Sequence, residues 1–500
     1  MRGNVDLPHL VRRAALQHPS RIAISDGDLR IDMRTALAQA ERLANAFDGL
    51  GLKPGSPIAI LSENRWEYVI ADLAIMLGRH IRVALNSRLA QADHEAVLAD
   101  SGASVLIHSG AFAAEAEALG QGRKLIAIGL NGPTFAGLLD RASDTAHVRP
   151  GDTEDPAWIT YTAGTTGKPK GVVLSQRAIR EVAFNLLLEL GPVAPGSRIV
   201  LPQALSHGAG YFVLPWLLSG GGVHLLRRFD AEEVVAIGAA RPGLVFKCVP
   251  AMLPPLIEAG GRGAGFASIV YGASPISRSV LEASLDCFGP VLTQIYGQSE
   301  APATLTCLHP RDHMGPGEER FSAGRPWRTV AIEIRDGDGI RLGPGEAGEV
   351  AITGPHLMTG YHGLPELTAA VFQNGWINTR DRGFIDDRGF VHLRGRMDDM
   401  IVSGGQNISP REVEDVLCGF PAIAEASVLG MPDETWGSAV AAAVTLKPGA
   451  SATCDSVIAF ARPLLGFRTP KVVRIVDAIP RTAYGKVDRG GLAALFGGAR

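Results

Sequence analysis

The 500-residue chain has no Cys-x-x-Cys pair; its five cysteines, Cys248, Cys287, Cys307, Cys418 and Cys454, are widely separated. That argues against a disulfide framework and for free thiols in a reducing, cytoplasmic compartment. No run approaches the ~20 apolar residues that cross a bilayer. The most apolar stretch, residues 212–226, is broken by Pro215 and by glycines 220–222. The first nine residues contain no apolar signal-peptide core, so none is expected. Charge of one sign is missing too: 48 Lys and Arg stand against 51 Asp and Glu, a net −3. Nucleic acid and an anionic membrane surface therefore have no electrostatic case as partners. Internal repeats and low-complexity segments are absent.

What is present describes a soluble globular protein, 46% hydrophobic and 20% charged. The length implies roughly two to four units with sizeable cores. The sixty glycines and 32 prolines imply many turns between short elements.

The chain is organised around residues 161–171, Tyr-Thr-Ala-Gly-Thr-Thr-Gly-Lys-Pro-Lys-Gly. Apolar stretches on both sides read as strands, so the segment is a loop joining them. Glycines let backbone N–H groups approach phosphate oxygens, and Thr and Lys side chains add donors and charge. The plainer reading is a surface hairpin. Pro169 after Lys168 excludes a Walker A loop, which needs Ser or Thr there.

Helical spacing is expected over residues 6–19, 34–50 and 66–77, with strands at 22–25, 57–61, 105–107 and 125–128. This alternation predicts a parallel, doubly wound sheet over the first 130 residues. It resumes beyond the loop with helices at 178–190, 231–240 and 278–287 and strands at 197–201, 222–226, 244–249 and 268–271. After about residue 325, short strands at 331–335, 348–352 and 390–393 predict a small antiparallel barrel or meander. A polar segment at 394–400 then precedes a compact α/β unit of about a hundred residues.

Five further stretches carry candidate chemistry. His207 lies in a small-residue loop before an apolar helix; alone it reads as a satisfied structural histidine. Residues 271–275 (Tyr-Gly-Ala-Ser-Pro) form a strand end and tight turn, where backbone could lie against a ring. Residues 294–300 offer the Tyr296 ring and the Glu300 carboxylate, which could hold Mg²⁺ while phosphates supply other ligands. Asp381, expected after a turn, could accept both ribose hydroxyls. Lys486 follows a glycine in a basic segment near residue 500.

Together, in this order, the stretches resemble the adenylate-forming superfamily of acyl-CoA synthetases, nonribosomal adenylation domains and luciferases, over roughly residues 10–490. In detail they look most like carboxylate–CoA ligases of the chlorobenzoate type. The cues are residues 395–405, the Asp-Glu-Thr-Trp-Gly run at 433–437, and His207. The resemblance implies an α/β fold: a large N-terminal domain of doubly wound sheets plus a small β-barrel (1–395), a hinge (396–399) and a small mobile α+β lid (400–500). It implies ATP, Mg²⁺ and coenzyme A, and two half-reactions: a carboxylate attacks the α-phosphate of ATP, then a thiol attacks the acyl-adenylate. The carboxylate would belong to an aromatic, alicyclic or medium-chain monocarboxylic acid.

The resemblance also assigns residues. Thr162, Gly164, Thr165, Thr166, Gly167 and Lys170 would grip the triphosphate, with Mg²⁺ on Glu300. Gly272, Ala273, Ser274 and Tyr296 would sandwich adenine, beside Gly297 and Ser299. Asp381 and Arg396 would hold the ribose. Lys486, His207 and Glu300 would be the catalytic residues; Lys486 would bridge the carboxylate and α-phosphate, and His207 would line the acyl site. Rotation about Asp398 would bring Gly404, Gly405 and Trp436 to a pantetheine tunnel. Departures are Ala163 for a Ser in the phosphate loop, Ser299 for Thr, Arg380 for a small residue and Gln406 for Glu. Lys247, in an apolar strand, reads as a solvated strand end, or else as an ion-pair partner for a second carboxylate or a CoA phosphate. Alternatives are an acyl-AMP ligase loading a separate carrier protein, adenylate oxidation, and a non-catalytic nucleotide-binding homologue. A homodimer is left open.

Overall fold

The computed structural model describes the chain except residues 1–4, 131–132, 147, 163–168, 191–192, 194–195, 404–405, 434–435, 483–486 and 498–500. Its described strands form five sheets. The largest has nine strands, in spatial order Arg325–Pro326, Ala301–Leu308, Leu292–Gln298, Ser268–Gly272, Val245–Cys248, Arg198–Leu201, Gly222–Leu225, Ile22–Asp26 and Leu29–Asp32. Its six central strands are parallel, and the pairings at its two ends are antiparallel. A seven-stranded sheet runs Gly360–Tyr361, Lys170–Ser175, Pro156–Thr162, Ile81–Leu85, Pro57–Leu61, Val105–His108 and Ile126–Gly129.

One apolar core joins these two sheets. Ile24, Val223 and Val270 from the first pack with Ile58, Ile60 and Trp158 from the second, through Leu43, Tyr68 and Val182 of intervening helices. Asp6, Asp32, Ser175 and Ser277 each accept a backbone N–H at the start of a helix, satisfying a donor that would otherwise be orphaned.

Two expectations change here. The first 130 residues do not build one sheet: Ile22–Asp26 leaves its neighbours and pairs parallel with Gly222–Leu225. Alternation identifies parallel strands but not their partners, which crossover packing selects. Between residues 77 and 105, where no strand is expected, lies the fully buried strand Ile81–Leu85. Arg82 interrupts its apolar pattern. It is buried because Asp72 Oδ2 accepts its Nη1 at 3.0 Å and Trp158 stacks 3.5 Å from its guanidinium.

Antiparallel strands Ala331–Arg335, Gly348–Thr353, Trp376–Ile385, Phe372–Gln373 and Val391–Arg396 form the third sheet. Beyond it, the hairpin Ile401–Ser403 with Gln406–Ile408 and a three-stranded sheet, Ile423–Asp433, Gly437–Leu446 and Val472–Ile475, share a separate core around Val413, Val428, Val444 and Val457. No helix among the described residues is long and apolar enough to cross a membrane.

Candidate active site

Parallel strands Arg198–Leu201, Val245–Cys248, Ser268–Gly272 and Leu292–Gln298 end on one edge of the large sheet. Ligands of open α/β sheets bind outside such carboxyl ends. The loop after Leu201 carries His207, whose Nδ1 lies 3.0 Å from Ser206 Oγ. Asn64 pins this loop. Its amide donates to the carbonyls of Leu201 (3.1 Å), Gln203 (2.8 Å) and Leu226 (3.0 Å), and its Oδ1 accepts Leu205 N–H at 2.9 Å. The sequence offered no signal for that role, because the partners lie over 130 residues away.

At the end of the strand Ser268–Gly272 the chain turns through Ala273 at φ 71°, a left-handed value rare without glycine. A Cβ at Gly272 would sit 2.3 Å from Ile295 O, and one at Gly297 would sit 2.4 Å from Ala303 N. Both glycines are therefore required by backbone approach within the protein itself. Ala273 is exposed, and Ser274 and Ser299 are half-buried beside them.

Tyr296 meets Asp381 across two sheets: its hydroxyl donates to Asp381 Oδ2. Arg396 Nε lies 3.1 Å from Asp381 Oδ1, and its Nη1 donates to Thr379 O at 2.9 Å. Thr379 Oγ1 accepts Asp381 N–H at 3.1 Å while donating to Val350 O at 2.8 Å. Burial, then the Asp381 charge, pushes the Tyr296 phenol well above its usual pKa. Asp381 does not follow a turn, as expected from sequence. It lies within the strand Trp376–Ile385, register-paired with Arg396, and the kink is carried by Arg380 at φ 60°. Glycine avoids the Cβ clash of that conformation; arginine accepts it at a cost.

Glu300 is steered by a residue with no sequence signal. Tyr361 donates its hydroxyl to Glu300 Oε1 at 2.8 Å, and Met358 N–H bonds Glu300 O at 2.9 Å. Burial, then the Glu300 charge, raises the Tyr361 phenol pKa. The two-residue strand Gly360–Tyr361 pairs with Lys170–Ser175. That strand returns from the glycine-rich loop, with Thr162 and Lys170 opposite each other at its mouth. Glu300 is thus tied through Tyr361 to the base of the loop. Gly164, Thr165, Thr166 and Gly167 of the loop lie outside the described residues, as do Ala163, Gly404, Gly405 and Lys486.

Among the described residues no group of three or more His, Cys, Asp or Glu could hold a metal. Among the described residues none donates a hydrogen bond to Glu300 Oε2, which leaves one carboxylate oxygen to offer. That donor set fits Mg²⁺, which binds through one or two carboxylates plus phosphates and waters.

Asp398 sits in the helical turn Met397–Asp399. Its neighbour Asp399 pairs with Arg489 at 2.8 Å. Arg411, just beyond, donates to Ile276 O at 2.9 Å, close to the Ala273 turn. Trp436 is 49% exposed, with the Lys471 ammonium 5.7 Å from its ring centroid.

Lys247 is not a solvated strand end. It is 4% exposed, and its Nζ donates to Cys248 O at 2.8 Å and Gln203 Oε1 at 3.4 Å. Burial pulls its pKa down to about 8. The loop carrying Gln203, which covers this strand end, comes from another part of the chain.

Comparison with known proteins identifies the family. A family model described as AMP-binding enzyme matches residues 11–362, and its C-terminal domain model matches residues 412–486. The chain is 34% identical to feruloyl-CoA synthase from Amycolatopsis sp over 97% of its own length and 98% of the relative's. It is likewise 34% identical to medium/long-chain-fatty-acid–CoA ligase FadD8 from Mycobacterium tuberculosis, covering 98% and 90%. The amide bond synthetase McbA from Marinactinospora thermotolerans superposes with a TM-score of 0.89 at 30% identity, covering 98% of this chain and 99% of that one. With the motifs in order, two sheets meeting at Tyr296 and Asp381, and both family models matched, the chain belongs to the AMP-binding, adenylate-forming enzymes.

Proposed function

We propose that the protein is an ATP-dependent carboxylate–CoA ligase. The carboxylate of the acid attacks the α-phosphate, pyrophosphate leaves, and the CoA thiolate then attacks the acyl-adenylate and displaces AMP. The observation that carries this is the Tyr296–Asp381–Arg396 cluster beside Glu300 and the glycine-rich hairpin. It brings an aromatic face and a ribose acceptor together where two sheets meet, with Glu300 tied through Tyr361 to the strand that leaves the glycine-rich loop.

Asp381 accepts the ribose hydroxyls in place of the Tyr296 hydroxyl, and Arg396 holds the Asp381 carboxylate in position. Tyr296 and residues 272–274 take the adenine. The Gly164–Gly167 segment, with Thr162, Thr165, Thr166 and Lys170, binds the phosphates. Glu300 would hold Mg²⁺, which supplies positive charge against the triphosphate. Lys486 bridges the carboxylate and α-phosphate in the first step. The 400–500 unit then turns about Asp398 so that Gly404, Gly405 and Trp436 face the thiol arm. The acid is of aromatic, alicyclic or medium-chain type, which fits relatives named for feruloyl and fatty acyl substrates. Five free cysteines support a cytoplasmic enzyme, and light scattering decides between monomer and homodimer.

A second acceptor is the rival, since a relative of the same fold is named as an amide bond synthetase. The test is a panel of carboxylates with ATP and Mg²⁺, following pyrophosphate, then AMP, with CoA, amines or carrier protein. CoA-dependent AMP release supports the ligase. Pyrophosphate exchange with no CoA product sinks it, and no exchange with any acid points to a non-catalytic homologue. Lys486→Ala should abolish adenylation yet largely spare thioester formation from preformed acyl-AMP; equal loss of both steps refutes the two-conformation reading.

A further inference from the structure

Lys247 occupies the penultimate position of the strand Val245–Cys248, one residue inside the sheet edge where the candidate site opens. Side chains alternate along a strand. Phe246 and Cys248 pack with Leu253, Leu256 and Leu281 on one face, whereas Val245 packs against the main core on the other. Lys247 shares that second face. There its ammonium lies 5.6 Å from the Phe212 ring centroid, beneath the 203–212 loop.

An ammonium has three donors. Here two go to neutral acceptors, Cys248 O and Gln203 Oε1. Among the described residues no Asp or Glu lies within ion-pair distance of it. A buried cation without a counter-ion is costly, and isolated buried charges are ordinarily paired. On the loop that covers Lys247, Gln203 and His207 are half-buried, and the exposed Gly208 has open space where a Cβ would stand.

We propose that Lys247 is a specificity-determining residue that pairs with a second anionic oxygen group, a carboxylate, at the end of the acid remote from the reacting carboxyl, with Gln203 as its hydrogen-bonding partner. This rests on the ligase reading for the role of the acid, and it narrows the acid to a dicarboxylate, in place of the monocarboxylate expected from sequence. Lysine on this face would offer nothing to a purely hydrocarbon tail.

The test is calorimetric binding of matched acids to the full chain, which does not require turnover. Terephthalate is compared with 4-methylbenzoate, and suberate with octanoate, for the wild type and for Lys247→Met, a volume-conserving change. The dianion of at least one pair should bind the wild type about tenfold more tightly than its partner, as a charge-assisted bond allows. In Lys247→Met that preference should vanish or reverse, while the affinity for the methyl-terminated acid holds. Gln203→Leu should lose part of the preference. Dianions that bind no tighter than their partners in either pair, an absence of measurable heat included, overturn the proposal. A preference that survives in Lys247→Met overturns it as well. If dianion selectivity is present but no acid releases pyrophosphate, the ligase reading fails and the role of Lys247 in binding stands.

Discussion

Tyr361→Phe removes one oxygen and isolates the steering of Glu300. The backbone N–H of Tyr361 bonds Thr368 Oγ1 at 2.9 Å, and the strand Gly360–Tyr361 pairs with Lys170–Ser175; both survive in phenylalanine. The phenol is lost as a donor to Glu300 Oε1, at 2.8 Å. Hydrogen bonds to charged groups contribute about 1.5–3 kcal/mol. Because Glu300 is half-buried rather than sealed, the lower end applies, about tenfold in an equilibrium constant. The expected result is a shift of the Mg²⁺ dependence of pyrophosphate release to about tenfold higher Mg²⁺. ATP binding without metal and thermal stability should barely change. The assay is initial-rate pyrophosphate release across a Mg²⁺ series at saturating ATP and acid, beside a thermal scan. Superimposable Mg²⁺ curves would refute the reasoning. So would an activity loss that simply tracks a fall in Tm, because the tyrosine would then be holding the strand rather than the carboxylate.

Asp381→Asn keeps the shape but removes the charge that Arg396 and Tyr296 share; the KM for ATP should rise about tenfold or more, and an unchanged KM would remove Asp381 from the ribose role. Arg380→Gly relieves a left-handed φ of 60° and should raise Tm by about 2 °C, offset in part by the freer unfolded chain; a fall in Tm would contradict the strain. For Lys247, burial lowers the folded pKa to about 8, against an unfolded value of about 10.4. Between those values the folded state binds fewer protons, so stability gains with rising pH. The charge penalty, on the order of 3 kcal/mol, is full below about pH 8 and fades toward about pH 10. The titratable group that acts on it is the Cys248 thiol, itself pushed by burial to about 12. Lys247→Met should therefore gain most over the wild type near pH 7 and least near pH 10 in denaturant titrations; a gap independent of pH would show that the buried ammonium carries no such penalty.

Much of the architecture was legible locally. The helices Trp66–Leu77 and Ala231–Ala240 and the strand Ala331–Arg335 fall where periodicity and turn residues put them. Such signals depend on neighbours two to four residues away. The order of the motifs along the chain sufficed to name the family, because motif order is a property of sequence. The site was legible as a set of residue types, including Tyr296, Glu300, Asp381 and Arg396, but not as contacts.

The tertiary structure alone decided which strand Ile22–Asp26 pairs with, which hydroxyl steers Glu300, and whether Lys247 meets water. Each depends on groups far away in sequence. Gly222–Leu225 arrives about two hundred residues after its partner. Tyr361 reaches Glu300 only because a two-residue strand adds to the glycine-rich hairpin. Lys247 is buried because Asn64 ties the 203–205 backbone over the end of its strand. A residue's own chemistry is written in the sequence; its solvent and its partner are set by whatever the fold lays against it.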